Sequence, residues 1–143
     1  MQLSRITNPS ILSQIPGKQT RVPTENIELL ALCKWIRQEY PDKIFCCDQI
    51  GQKFSKQQAA RLSQMRSNKY PDLFIAEPVK GYHGIYIEFK ATGVKVQNKN
   101  GKWINEHIEG QAFVLMALKR KGYYAGFGLG IEHTKKVLKN LFE

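Results

Sequence analysis

The sequence lacks long hydrophobic runs. No apolar stretch approaches the roughly 20 residues needed to span a bilayer, so no transmembrane segment is expected among its 143 residues. The opening residues, MQLSRITNPSILSQIPGKQTRVP, lack the compact apolar centre and small-residue cleavage site of a secretory signal. Cysteine is scarce as well. Cys33, Cys46 and Cys47 form no CxxC pair and have no histidine at metal-ligand spacing, which argues against a zinc module or disulfide framework. Free cysteine is commonly buried, so the adjacent Cys46–Cys47 pair reads as packing in a reducing compartment. These absences together give the expectation of a cytoplasmic protein, in a bacterium or in a host cell if the chain is phage-encoded.

Acidic residues are also under-represented. Twelve Asp and Glu face 22 Lys and Arg, a formal net charge of +10. The imbalance is local. From Gln49 to Pro71 no acid occurs beside Lys53, Lys56, Arg61, Arg66 and Lys69. From Phe89 to Asn105 there is again none beside Lys90, Lys95, Lys99 and Lys102. Such excess favours a polyanionic partner, nucleic acid first; a basic surface that serves only solubility is the plainer alternative.

An apolar content of 42% in a chain of this length suits one domain with its own core. Residues 1–22, rich in Ser, Pro, Gln and Thr, read as an extended N-terminal arm, and 23–143 as the domain. PTENIELLALCKWIRQEYPD predicts a helix begun by Pro23 and Thr24 and ended by Pro41, with Ile27, Leu30, Ala31, Leu32, Trp35 and Ile36 as its apolar face. A short strand at Lys43–Cys47 and a polar, basic helix at Ser55–Ser67 follow. Two strands, Leu73–Ala76 and Gly84–Ala91, flank the turn-forming EPVKGYH. A polar loop, Thr92–Trp103, leads to a helix at Asn105–Gly122, with Ile108, Ala112, Leu115 and Met116 at helical spacing. A glycine-rich strand and a final amphipathic helix complete the chain.

The charged residues inside the strands carry the chemistry. Residues two apart share a strand face, roughly 6–7 Å apart, so Tyr86, Glu88 and Lys90 point one way and Ile85, Ile87 and Phe89 the other. Asp72 opens the strand expected to pair antiparallel with this one. An acid at the start of one strand then lies near an acid towards the end of its partner. Two such carboxylates repel unless a cation sits between them, and hard oxygen ligands suit Mg²⁺ or Mn²⁺ rather than Zn²⁺. Read without further context, the same pair is an exposed hairpin face carrying an incidental Glu–Lys contact.

Pro71-Asp72, fifteen intervening residues, then Glu88-Phe89-Lys90 resembles the PD-(D/E)xK motif of restriction-endonuclease-like nucleases. The downstream HIEGQAFVLMALKRKGYYAGFGLG, with Gln111 early in its helix, resembles the VRR-NUC (virus-type replication-repair nuclease) family, and phage-type single-domain members in particular. PTENIELLALCKWI resembles that family's first helix, which begins with an active-site Glu. Where many relatives carry glycines just before PD, this chain has Ser67–Tyr70.

The resemblance implies an α/β fold with a mixed sheet of about four strands flanked by helices. It further implies a Mg²⁺- or Mn²⁺-dependent deoxyribonuclease acting on branched DNA such as Holliday junctions or flaps, and leaving 5′-phosphate and 3′-hydroxyl ends. Asp72, Glu88, the backbone carbonyl of Phe89 and Glu25 are then the metal ligands, with Glu28 the alternative first-helix acid. Lys90, an ammonium between carboxylates, orients the attacking water rather than serving as a general base, and Gln111 supports it or contacts the scissile region. Lys53, Lys56, Arg61, Arg66, Lys69, Lys95, Lys99 and Lys102 hold phosphates, and Tyr70, Tyr82 and Trp103 are candidates for stacking on unpaired bases, with packing the commoner use of any one such ring. Cutting a symmetric four-way junction requires a homodimer presenting two sites. Two other readings compete: a non-catalytic nucleic-acid-binding module on the same fold, and a restriction-type endonuclease that reads a sequence. His83 and His133 belong to no cluster, so an HNH or zinc-hydrolase site lacks its ligands, and His107, near a helix start, reads as a cap or surface group.

Overall fold

The computed structural model describes residues 24–48 and 54–143. The expected arm at 1–22, together with Lys53, lies outside the described residues. Eight elements follow in order: α1 (Glu25–Glu39), β1 (Phe45–Cys47), α2 (Lys56–Gln64), β2 (Leu73–Ile75), β3 (Ile85–Lys90), α3 (Glu106–Arg120), β4 (Tyr124–Leu129) and α4 (Ile131–Phe142). The strands form one sheet in the order β1-β2-β3-β4. β1 and β3 run antiparallel to β2, and β4 runs parallel to β3. A parallel pair needs a crossover, which α3 supplies. The expected α/β architecture with a four-stranded mixed sheet is therefore present.

Local chemistry explains the boundaries. Thr24 is the N-cap of α1 by backbone geometry, its carbonyl accepting from Glu28 N–H, although its hydroxyl makes no cap bond. Ser55 and Gln58 form a reciprocal capping box at α2, and Asn105 caps α3 through Ile108 N–H. Between β2 and β3, Val79 and Tyr82 exchange backbone hydrogen bonds around Lys80 (φ 47°) and Gly81 (φ 85°). Two successive positive φ values are what a tight two-residue hairpin turn requires.

Helices cover both faces of the sheet. On one, Leu29, Leu32 and Ile36 of α1 and Leu138 and Leu141 of α4 pack on Leu73, Ile75, Ile85, Ile87 and Phe89. On the other, Leu115 and Leu118 of α3 pack with Tyr86, Ala125, Tyr70, Phe74, Tyr123 and Phe127. Consequently all six residues of β3 are buried, the charged Glu88 and Lys90 included.

Three expectations are corrected. The buried stripe of α1 is Glu28, Leu29, Leu32 and Ile36, whereas Ile27 and Leu30 are 61% and 58% exposed. Apolar residues surround more of this helix than one neighbour can cover, so composition leaves the choice of stripe open. Met116 is likewise exposed, because Ala112 and Leu115 occupy the side of α3 that meets the sheet. Of the adjacent thiols, Cys47 packs against the core and Cys46 is exposed, since successive strand residues face opposite ways on this edge strand. Among the described residues no helix is long and apolar enough to cross a membrane.

Candidate active site

The register of the hairpin builds the site. Leu73 pairs with Ile87, and continuing that register by one residue sets Asp72 opposite Glu88. Alternation puts Asp72 on the α3 side of the sheet with Phe74, which stacks on Tyr86 at 4.5 Å between ring centroids. Pairing between β2 and β3 stops at this step, and the Phe89 N–H beyond it donates to Asp72 Oδ2 at 2.9 Å. The Asp72 backbone carbonyl accepts from Asp48 N–H at 2.6 Å. Asp72 is thus held from both neighbouring strands.

Glu88, Lys90 and Gln111 meet beside it. Gln111 lies on the buried stripe of α3 with Ile108, Ala112 and Leu115, and its Nε2 donates to Glu88 Oε1 at 2.7 Å. Lys90 Nζ stands 3.9 Å from the same oxygen. Asp72, Glu88, Lys90 and Gln111 are each at most 9% exposed as whole residues. Among the described residues the buried Gln111 Oε1 atom has no hydrogen-bond partner, an arrangement that costs free energy unless something else fills it.

Electrostatics mark the cluster as charge-frustrated. Burial, reinforced by the neighbouring Asp72 charge, pushes the Glu88 carboxyl up to about 9, with Lys90 pulling the other way. Burial also raises Asp72, opposed by the Phe89 amide, by Glu88 as hydrogen-bond partner and by Lys90. Glu25, half-buried at the start of α1, is raised by burial and by Asp72, and lowered by Lys90. Two buried acids beside one ammonium leave excess negative charge in a poorly solvated place, which a proton or a bound cation relieves. The donor set fits a hard divalent ion, which commonly takes one or two carboxylates and completes its shell with carbonyl, water and substrate oxygen. Among the described residues no three His, Cys, Asp or Glu side chains gather around one point. Glu25 stands within electrostatic reach of both Asp72 and Lys90.

The alternative first-helix acid, Glu28, has other work. Its carboxylate accepts from Thr92 N–H at 2.7 Å, from the Thr92 hydroxyl, and from Ile131 N–H at 3.4 Å. Gly130 N–H donates to Lys90 O at 2.7 Å. These bonds bind the start of α1, the exit of β3 and the start of α4 into one clasp directly behind Lys90.

Of the basic residues, Lys56, Arg61, Lys95, Lys99 and Lys102 are exposed. Arg66 is committed to Asp48 at 2.7 Å and lies over the Tyr70 ring at 5.9 Å. That ring borders a groove of about 620 Å³ between α2 and the end of β1, lined among others by Phe54, Leu62 and Met65. Lys69 is half-buried with φ 57°, and its ammonium lies 3.0 Å from His107 Nδ1. Sequence reasoning overlooked Asp48, set His107 aside, and did not foresee the tethering by Glu28. Only the i, i+4 spacing of His107 and Gln111 hinted at the second of these.

No family model and no curated protein matches the chain. Among solved structures, a VRR_NUC domain protein is similar at 21% identity, with a TM-score of 0.56, over 85% of this chain and 89% of that one. The chain has the VRR-NUC fold.

Proposed function

We propose that the protein is a divalent-metal-dependent deoxyribonuclease that hydrolyses phosphodiester bonds in branched DNA. The observation that carries this reading is the buried Asp72–Glu88 pair, set opposite by strand register with Lys90 and Gln111 against it. A nuclease-type fold and a surface rich in Lys and Arg support the substrate class. Phosphate contacts position a duplex without specifying it, so a surface of Lys and Arg favours shape over sequence.

Asp72, Glu88 and the Phe89 carbonyl would hold Mg²⁺ or Mn²⁺. Such an ion, when bound, supplies Lewis-acid polarisation of a phosphoryl oxygen and eases ionisation of water. The chain's own groups do the rest. Lys90 presents a fixed positive charge where negative charge develops on phosphate in the transition state. Gln111 holds the Glu88 carboxylate in place, and Glu25 adds a polar wall on the α1 side that orients water. The α1–β3–α4 clasp keeps Lys90 from withdrawing as the substrate binds.

The test is cleavage of labelled linear duplex, flap and four-way junction with Mg²⁺, Mn²⁺ or EDTA. Metal-dependent cutting of the branched substrates, lost in Asp72→Asn, Glu88→Gln and Lys90→Ala, is expected. Cutting of a four-way junction in a symmetric pair of nicks, with a dimeric mass in solution, would extend the reading to a homodimer presenting two sites. Binding without cutting under every metal would leave a nucleic-acid-binding module, and cutting of plain duplex at one sequence a restriction-type enzyme.

A further inference from the structure

We infer that Lys69 and His107 form a built phosphate clamp beside Lys90, a subsite that grips the backbone of the DNA strand next to the cleaved bond. The inference rests on the nuclease reading for its substrate, and on geometry of its own. Lys69 holds φ 57°, a left-handed conformation that side chains other than glycine adopt at a cost. That turn lays the lysine stem across α3 at Gly110. A Cβ built on Gly110 would stand 2.5 Å from Lys69 Cε and 2.8 Å from its Cδ. Glycine at this point of the helix therefore clears a track for the lysine arm, at the expense of helix propensity.

At the end of the track the ammonium meets His107 Nδ1 at 3.0 Å. A lysine ammonium has donors and no acceptor, so Nδ1 must be the accepting nitrogen. The imidazole is then neutral with its proton on Nε2. Burial, the Lys69 charge and the Lys90 charge all favour that neutral form by holding the ring below its ordinary range. The ring thus stands within electrostatic reach of two ammonium groups. One bond to His107 leaves Lys69 two further N–H donors, and the exposed ring offers Nε2–H. A cation and a neutral donor held together, within electrostatic reach of Lys90 and, among the described residues, without a carboxylate bonded to either, suit a phosphodiester oxygen. Neither group reads a base, so the clamp sets strand position and not sequence.

Gly110→Ala gives a clean test because the clashing atoms belong to a flexible side chain that can swing away. Binding of labelled four-way junction is measured by fluorescence anisotropy in EDTA, across about 50 to 200 mM salt, beside thermal unfolding. Gly110→Ala, Lys69→Ala and His107→Ala should each weaken binding about tenfold, as loss of one charge-assisted hydrogen bond implies. The first two should also flatten the log–log salt slope by about one. The double variant Lys69→Ala/Gly110→Ala should be no worse than either single one. Gly110→Ala should unfold at the same temperature as the parent or higher, whereas a purely structural contact would lower it. His107→Gln, which can still accept from Lys69 and donate onward, should recover most of the affinity.

Parental affinity and slope in Lys69→Ala and Gly110→Ala would overturn the clamp, as would an affinity loss that tracks a loss of fold. If Gly110→Ala fails to fold, Lys69→Ala and His107→Gln carry the same decision. Cleavage is scored separately. A parent protein that binds but never cuts removes the nuclease reading and leaves the clamp standing, while cutting with an unmoved salt slope removes the clamp alone.

Discussion

Gln111 reaches from α3 to Glu88 on β3 with a 2.7 Å hydrogen bond, and the other end of its amide is buried with no partner among the described residues. The bond stabilises the charged form of a carboxylate that burial and Asp72 push up to about 9. Gln111→Leu should therefore raise the Glu88 pKa further. The acidic limb of the pH–rate profile should move to higher pH, and cleavage at neutral pH should fall about 10- to 100-fold. The unfolding temperature should hold or rise, since the orphaned carbonyl oxygen leaves with the side chain. An unmoved acidic limb would place Gln111 outside the charge balance of the site.

Glu88 also makes a stability prediction. Its folded-state pKa lies above the ordinary carboxylate value. Its contribution is fully present below about pH 4.5 and is lost as pH rises towards about 9. In EDTA the unfolding temperature should fall across that window, and Mg²⁺ or Mn²⁺ should restore it most at the alkaline end, where no proton competes. Glu88→Gln should flatten the pH dependence and raise the metal-free midpoint above pH 7 while lowering the cleavage rate at least about 100-fold. Calorimetry with and without metal checks both signs.

The two first-helix acids should separate cleanly. Glu28→Ala removes the buried carboxylate that accepts from the part-buried donors of Thr92 and Ile131, and a loss of about 1–2 kcal/mol of stability follows. Glu25→Gln, half-buried and facing Asp72 and Lys90, should leave the unfolding midpoint within about 1 kcal/mol and reduce the cleavage rate. Denaturant titration and single-turnover kinetics on the same two variants decide it. The reverse pattern would exchange their roles.

The loop between β3 and α3 offers a fourth measurement. Lys95, Lys99 and Lys102 are exposed on it. If all three meet phosphate, replacing them together by Ala should flatten the salt dependence of DNA binding by about three. The rate at saturating DNA should stay near that of the parent. An unchanged slope would mean that DNA approaches from another side.

Much of this was legible in the residues, for identifiable reasons. Element order followed from period-two and helical patterning and from turn chemistry such as Lys80-Gly81, all of which are local. The meeting of Asp72 and Glu88 followed because antiparallel register maps one strand onto the other by counting. What sequence withheld was tertiary. Which stripe of α1 turns inward depends on α4 and the sheet, so Ile27 and Leu30 misled. The part played by Glu28 depends on Thr92 and Ile131, far along the chain. The meeting of Lys69 with His107 depends on one left-handed backbone residue, and nothing in the order Ser-Asn-Lys-Tyr announces it.

The Glu28 clasp bears on how the protein is made. Synthesis delivers every proposed catalytic group, from Glu25 to Gln111, before Gly130 and Ile131 leave the ribosome. Until those two residues arrive, the clasp consists of the Thr92 bonds to Glu28 alone, without the amides that tie α4 to it. A nascent chain thus carries the proposed reactive groups before α4 is fastened to α1 and β3.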